Sequence, residues 1–124
     1  MKEGSMKVPP TLVRSTKVER YIISNEKKEN LGHCETMLVD LCNWKVPFII
    51  ASFLGEGLTD KWYAIPYEIT SFDDKKKEFI IDVPKDVIRH APSIDKNIWG
   101  PDKIDLRWLA DACRHYGVIP YWED

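Results

Sequence analysis

Lys45-Val46-Pro47-Phe48-Ile49-Ile50-Ala51-Ser52-Phe53 is the stretch on which the fold turns. Its apolar residues occupy both sides of a period-two alternation, with Val46, Phe48 and Ile50 on one face and Ile49, Ala51 and Phe53 on the other. A strand with one wet face alternates apolar with polar; a strand apolar on both faces needs cover on both. That is the pattern of a barrel wall capped by another element. Pro47 has no N–H to give to a ladder, so it marks either an edge position or a bulge.

Further strands surround this one. Residues 34–40 run Cys-Glu-Thr-Met-Leu-Val-Asp and stop at a polar turn around Cys42-Asn43-Trp44. Residues 11–23 read as one or two strands meeting at Ser15-Thr16, and the polar run 24–30, followed by Gly32, reads as a hairpin connection. After the Gly55-Glu56-Gly57 loop, Lys61-Trp62-Tyr63-Ala64-Ile65-Pro66 forms the next strand. Residues 69–72 and 78–83 pair around Asp73-Asp74-Lys75-Lys76-Lys77, whose lysines sit beside aspartates at a solvated tip. Pro84 opens a short helix that ends at Ala91-Pro92, and residues 95–101 are a linker. Asp105 caps a final helix on which Leu109, Ala112, Cys113 and Tyr116 fall at i, i+3, i+4 and i+7, and Gly117 stops it. The apolar tail Val118-Ile119-Pro120-Tyr121-Trp122 then docks rather than trails.

Composition narrows the function classes. The 124 residues fit one domain, and no apolar run approaches the roughly 18–20 residues of a membrane span. The first residues lead into no hydrophobic segment, so no signal peptide is expected. Three cysteines without framework spacing suit a reducing, cytoplasmic setting. A net charge of −2 announces no polyanion, which argues against DNA and disfavours RNA. Residues 1–30 carry seven basic and four acidic side chains, a solvated arm on an acidic body.

No catalytic, cofactor or metal motif emerges. His33 and Cys34 are strand neighbours facing opposite ways, and Cys113 and His115 lie about 200° apart on a helix. Only tertiary assembly from different elements could join them. Asp73-Asp74 and Glu123-Asp124 lack the burial that would separate two carboxyl pKa values for acid–base work. Phosphate-loop and dinucleotide-binding signatures are missing. The residues therefore favour a non-enzyme without a cofactor. Tyr63, Tyr67 and Phe72 are aromatic enough to stack on RNA, yet only Lys45 and Lys61 lie near them in sequence.

The order of segments resembles that of PRC-barrel domains, found in the cytoplasmic part of the photosynthetic reaction centre H subunit and in a ribosome maturation factor. Residues 31–40, Leu-Gly-His-Cys-Glu-Thr-Met-Leu-Val-Asp, are similar to the family's first long strand. Trp44-Lys45-Val46-Pro47-Phe48-Ile49-Ile50, Lys61-Trp62-Tyr63-Ala64-Ile65-Pro66 and the segment 83–92 follow in the family's order. His115-Tyr116-Gly117-Val118-Ile119-Pro120-Tyr121-Trp122 resembles the ending of stand-alone bacterial members. The resemblance covers about residues 12–122, with Pro47, Cys34 and Thr36 as departures.

The expectation is thus mainly β: a small, partly open PRC-type barrel at 12–92 with a short helix, behind an arm at 1–11. Residues 93–124 supply a linker, a C-terminal helix packed on the barrel, and an aromatic tail. Trp44 and Trp62 are expected at the barrel wall, with Trp108, Tyr116 and Trp122 holding the terminal segment. That segment buries in a groove of its own chain or of a second copy. What the resemblance implies is a cytoplasmic protein-interaction or assembly module, acting as a homodimer with a protein partner. Its candidate surface is Trp62, Tyr63, Tyr67, Trp108, Tyr121 and Trp122. The alternatives are a ribosome- or RNA-associated factor and an accessory of a photosynthetic or electron-transfer complex.

Overall fold

The computed structural model describes residues 10–55, 57–58, 60–97 and 104–123. The arm up to residue 9, and residues 98–101 of the expected linker with 102–103 beyond it, lie outside the described residues. The strands are β1 (Leu12–Ser15), β2 (Ile22–Ser24), β3 (Asn30–Asp40), β4 (Lys45–Phe53), β5 (Lys61–Pro66), β6 (Thr70–Asp73), β7 (Glu78–Ile81) and β8 (Ser93–Asp95). A 3-10 turn spans Tyr67–Ile69, and the helices are α1 (Lys85–Arg89) and α2 (Leu106–His115). The strands form one mainly antiparallel sheet in the order β6-β7-β2-β3-β4-β5-β8, with β1 alongside β3. The sheet is not closed: β6 and β8 are its edges.

β3 is the spine. One side pairs with β4; the other takes β2 near its start and β1 near its end. Residues 16–21 loop out between those two short strands. The Thr36 hydroxyl donates to the Ser15 carbonyl at 2.8 Å, and Cys34 N–H donates to the Tyr21 carbonyl at 2.8 Å, so pairing resumes past the loop. β7 then joins β2 in parallel, the one parallel pairing among the described strands.

β4 is buried on both faces, as its alternation requires. Ile49, Ala51 and Phe53 enter one core with Ile23, Cys34, Tyr63, Ile81 and Ile88. Phe48 and Ile50 enter the other with Leu38, Leu109, Ala112 and Cys113 of α2. Val46 departs from the pattern and is exposed. The cause is the register: Leu38 pairs with Phe48 but Asp40 with Lys45, so Val46 and Pro47 together oppose Val39. Pro47 therefore marks a bulge, where its missing N–H breaks no ladder bond. A second extra residue, Glu35, sits on β3 between the Cys34–Ala51 and Thr36–Ile50 pairs.

The α2 reading is matched at its cap, at three of its four stripe residues and at its stop. Asp105 accepts the Arg107 N–H at 2.8 Å, and Leu109, Ala112 and Cys113 of the expected stripe are buried in one core. Its fourth residue, Tyr116, is the C-cap and packs partly buried against the other core, and Gly117 takes φ +75 beyond the C-terminus. Two differences stand out. Residues 93–95, read as the start of the linker region, form β8; such a short strand exists only because the edge of β5 supplies its partners. Gly32 lies inside β3, within the segment 31–40 that the resemblance marks as a strand. Its Cα packs so tightly on β4 that a Cβ would stand 2.0 Å from the Ser52 carbonyl oxygen. Trp44 is not at the sheet wall but in solvent, because it ends the β3–β4 turn with φ +52 instead of opening β4.

Gly32→Ala forces β3 and β4 apart and is expected to cost about 2–3 kcal/mol in urea unfolding. Tyr116→Phe has the opposite sign. Among the described residues the buried Tyr116 hydroxyl has no hydrogen-bond partner, so its removal stabilises by up to about 1 kcal/mol in the same assay.

Candidate functional site

The end of the sheet where β3 turns into β4 is organised by one carboxylate. Asp40 is fully buried at the last position of β3. Its Oδ1 accepts the backbone N–H groups of Thr11, Cys42 and Asn43 at 3.0–3.2 Å. Its Oδ2 accepts Asn43 Nδ2 at 2.7 Å and the Tyr121 hydroxyl at 2.5 Å. Burial by itself raises a carboxyl pKa, but the hydrogen bonds from Tyr121, Asn43 and the Thr11 amide outweigh it and hold Asp40 below its ordinary value. Burial, and then the adjacent carboxylate, push the Tyr121 phenol well up. The residue before β1, the hairpin turn and the C-terminal tail thus meet on one buried charge.

The turn that Asp40 braces ends in Trp44, which has φ +52 and is 86% exposed. A bulky residue in the left-handed region is strained, and a free indole in water gains nothing from its apolar area. Around it Leu41, Val46 and Tyr67 are also exposed. Lys45 lies over the Tyr121 ring at 3.9 Å and the Tyr67 ring at 5.9 Å, which ties this hairpin to the 3-10 turn and the tail. The result is a hydrogen-bonded, mostly uncharged aromatic tip.

A second constellation lies in a cleft of about 300 Å³ beside the middle of β3 and β4. The Glu35 carboxylate accepts the Ser52 hydroxyl and stands 3.1 Å from His33 Nε2. The residue types match a serine–histidine–acid relay, but the wiring does not. Serine and histidine both address the carboxylate, so the imidazole is not placed to take the serine proton. Among the described residues no group of three or more His, Cys, Asp or Glu is arranged to hold a metal ion. Burial pushes the thiols of Cys34 and Cys113 up to about 12, keeping both as neutral core groups at physiological pH.

The six residues proposed as a surface separate. Tyr63, at 2% exposure, and Trp108, at 6%, are core residues, because β5 faces the first core at Tyr63 and α2 turns Trp108 onto the sheet. Trp62 and Trp122 are partly buried against the second core, Trp122 in a tilted contact 6.1 Å from Phe48. Only Tyr67 and the edge of Tyr121 reach the aromatic tip. Sequence reasoning missed Trp44 and Asp40. The available signal was a tryptophan directly after an Asp-x-x-Asn turn, a place where a core residue is out of position. No protein-family model matches the chain, and no curated protein matches it. No helix among the described residues is long and apolar enough to cross a membrane.

The Asp40 linkage has a definite sign. Its folded pKa is depressed, so its contribution is full above the unfolded value near ~3.9 and is lost as pH falls through the folded value. Asp40→Asn should cost about 2–4 kcal/mol at pH 7, since Asn43 and three backbone N–H groups lose a charged acceptor. Urea unfolding between pH 7 and pH 2 should show that gap narrowing below about pH 4. A gap unchanged down to pH 2 contradicts the assignment.

Proposed function

We propose that the chain is a non-catalytic assembly module of PRC-barrel type, working in the cytoplasm as a homodimer that joins other proteins. The observation that carries this reading is Trp44, 86% exposed on a turn held by the Asp40 hydrogen bonds. Tryptophan and tyrosine are the residues that most often dominate binding energy at protein interfaces. Burying about 200 Å² of an indole at ~25 cal/mol/Å² offers roughly 5 kcal/mol before ordering costs. Those costs are small here, because the turn is already fixed in the free chain.

A second copy fits the tip. Leu41, Trp44, Val46 and Tyr67 carry no charge, and the Lys45 ammonium is engaged with the Tyr121 ring. A two-fold axis through such a patch matches apolar with apolar, as self-complementary interfaces do. A net charge of −2 adds little repulsion between copies. The ordered motifs between residues 12 and 122 support the PRC-barrel assignment, and the unpaired Cys34, Cys42 and Cys113 suit a reducing compartment.

Light scattering on the purified chain is expected to give a dimer at tens of micromolar. Trp44→Ser should be monomeric, with an unfolding midpoint no lower than that of wild-type monomer. A wild-type chain that stays monomeric at millimolar concentration overturns the homodimer. Salt-sensitive binding to ribosomal RNA at low salt would replace the assembly reading with the nucleic-acid one.

A further inference from the structure

At the opposite end of the β3–β4 pair from Trp44, a pocket of about 220 Å³ opens between the start of β3, the end of β4 and α1. Its floor is apolar and buried: Leu31, Phe53 and Ile88 are each under 7% exposed. Leu54, 59% exposed, and Leu58 form one wall. The wall is shaped by a tight approach, since a Cβ on Gly55, which has φ +131, would stand 3.2 Å from Leu58 Cδ1. Glycine at that position lets the loop fold leucine back toward the opening.

The rim carries opposite chemistry. Lys85 is neutralised by Glu29 at 2.8 Å, and that contact holds the Glu29 carboxyl below its ordinary value. Arg89, one turn further along α1, lines the pocket with no hydrogen-bond or ion-pair partner among the described residues. The Asn30 side chain is committed to the Gly32 N–H at 3.0 Å. An apolar floor therefore faces one uncompensated guanidinium whose planar fork suits a carboxylate.

We propose that this pocket binds a small amphipathic monocarboxylate, its short apolar body on Leu31, Phe53 and Ile88 and its carboxylate on Arg89. At ~30 Å³ per non-hydrogen atom, the volume admits roughly seven or eight atoms, the size of hexanoate. The site is independent of the dimer contact, since it lies at the far end of both strands and uses none of the residues of the aromatic tip.

The test is a heteronuclear NMR titration of the full chain with sodium hexanoate, 1-hexanol and hexylammonium chloride at matched ionic strength. Hexanoate should give saturable shifts at the amides of Leu31, Leu54, Leu58, Ile88 and Arg89. Arg89→Gln, an exposed substitution whose fold the same spectra check, should weaken hexanoate about tenfold and leave hexanol unchanged. The proposal is overturned by any of three results: no saturable shifts at the pocket with hexanoate, hexylammonium binding as well as hexanoate, or Arg89→Gln without effect. Trp44→Ser should bind hexanoate like wild type, which separates failure here from failure of the dimer.

Discussion

A buried carboxylate must be fully hydrogen-bonded or it destabilises the fold that buries it. Asp40 meets that requirement by recruiting groups distant in sequence: the amide of Thr11, the amides of Cys42 and Asn43, the Asn43 side chain, and the Tyr121 hydroxyl 81 positions away. Each partner belongs to a segment that its own burial fixes weakly. β1 has four residues, the turn is solvent-exposed, and the tail follows the end of α2. One ion therefore couples three weak local preferences into a single arrangement. The display of Trp44 and the seating of Tyr121 and Trp122 both follow from it.

The second organising constraint is the two-faced strand. β4 supplies Ile49, Ala51 and Phe53 to one core and Phe48 and Ile50 to the other, so sheet and α2 are stabilised by the same backbone. A strand used in this way cannot slip by one residue without exchanging the two cores. The extra residues at Glu35 and at Val46–Pro47 offset each other, restoring the register at Asp40 opposite Lys45. They also shape the molecule. The first lies where His33 and Ser52 converge on a carboxylate; the second releases Val46 to the solvent near Trp44.

Much of the fold was legible because it rests on periodicity and on local chemistry. The alternation in 45–53, the cap at Asp105, the stripe Leu109–Ala112–Cys113 and the glycine stop at Gly117 all act within a few residues. The ambiguity over Pro47 was legible too, although only the β3 partner resolves it in favour of the bulge. β8 was hidden because three residues of ordinary composition become a strand only beside an available edge. The aromatic residues were the weakest reading. Tyr63, Trp108 and Trp44 are all large and amphipathic, and apart from the turn that precedes Trp44 nothing local distinguishes the two that go inside from the one that stays out.

By itself the sequence determined the class of the protein: mainly β, one strand buried on both faces, and a capped amphipathic helix after the sheet. It did so because hydrophobic alternation and capping are short-range and additive. Tertiary structure alone decided that the sheet stays open, that Asp40 gathers Thr11, its own turn and Tyr121, that Trp44 faces water and that Arg89 stands over an apolar pocket. Those outcomes depend on which distant segment satisfies a given donor, acceptor or apolar surface, and that choice is made only when the whole chain is packed.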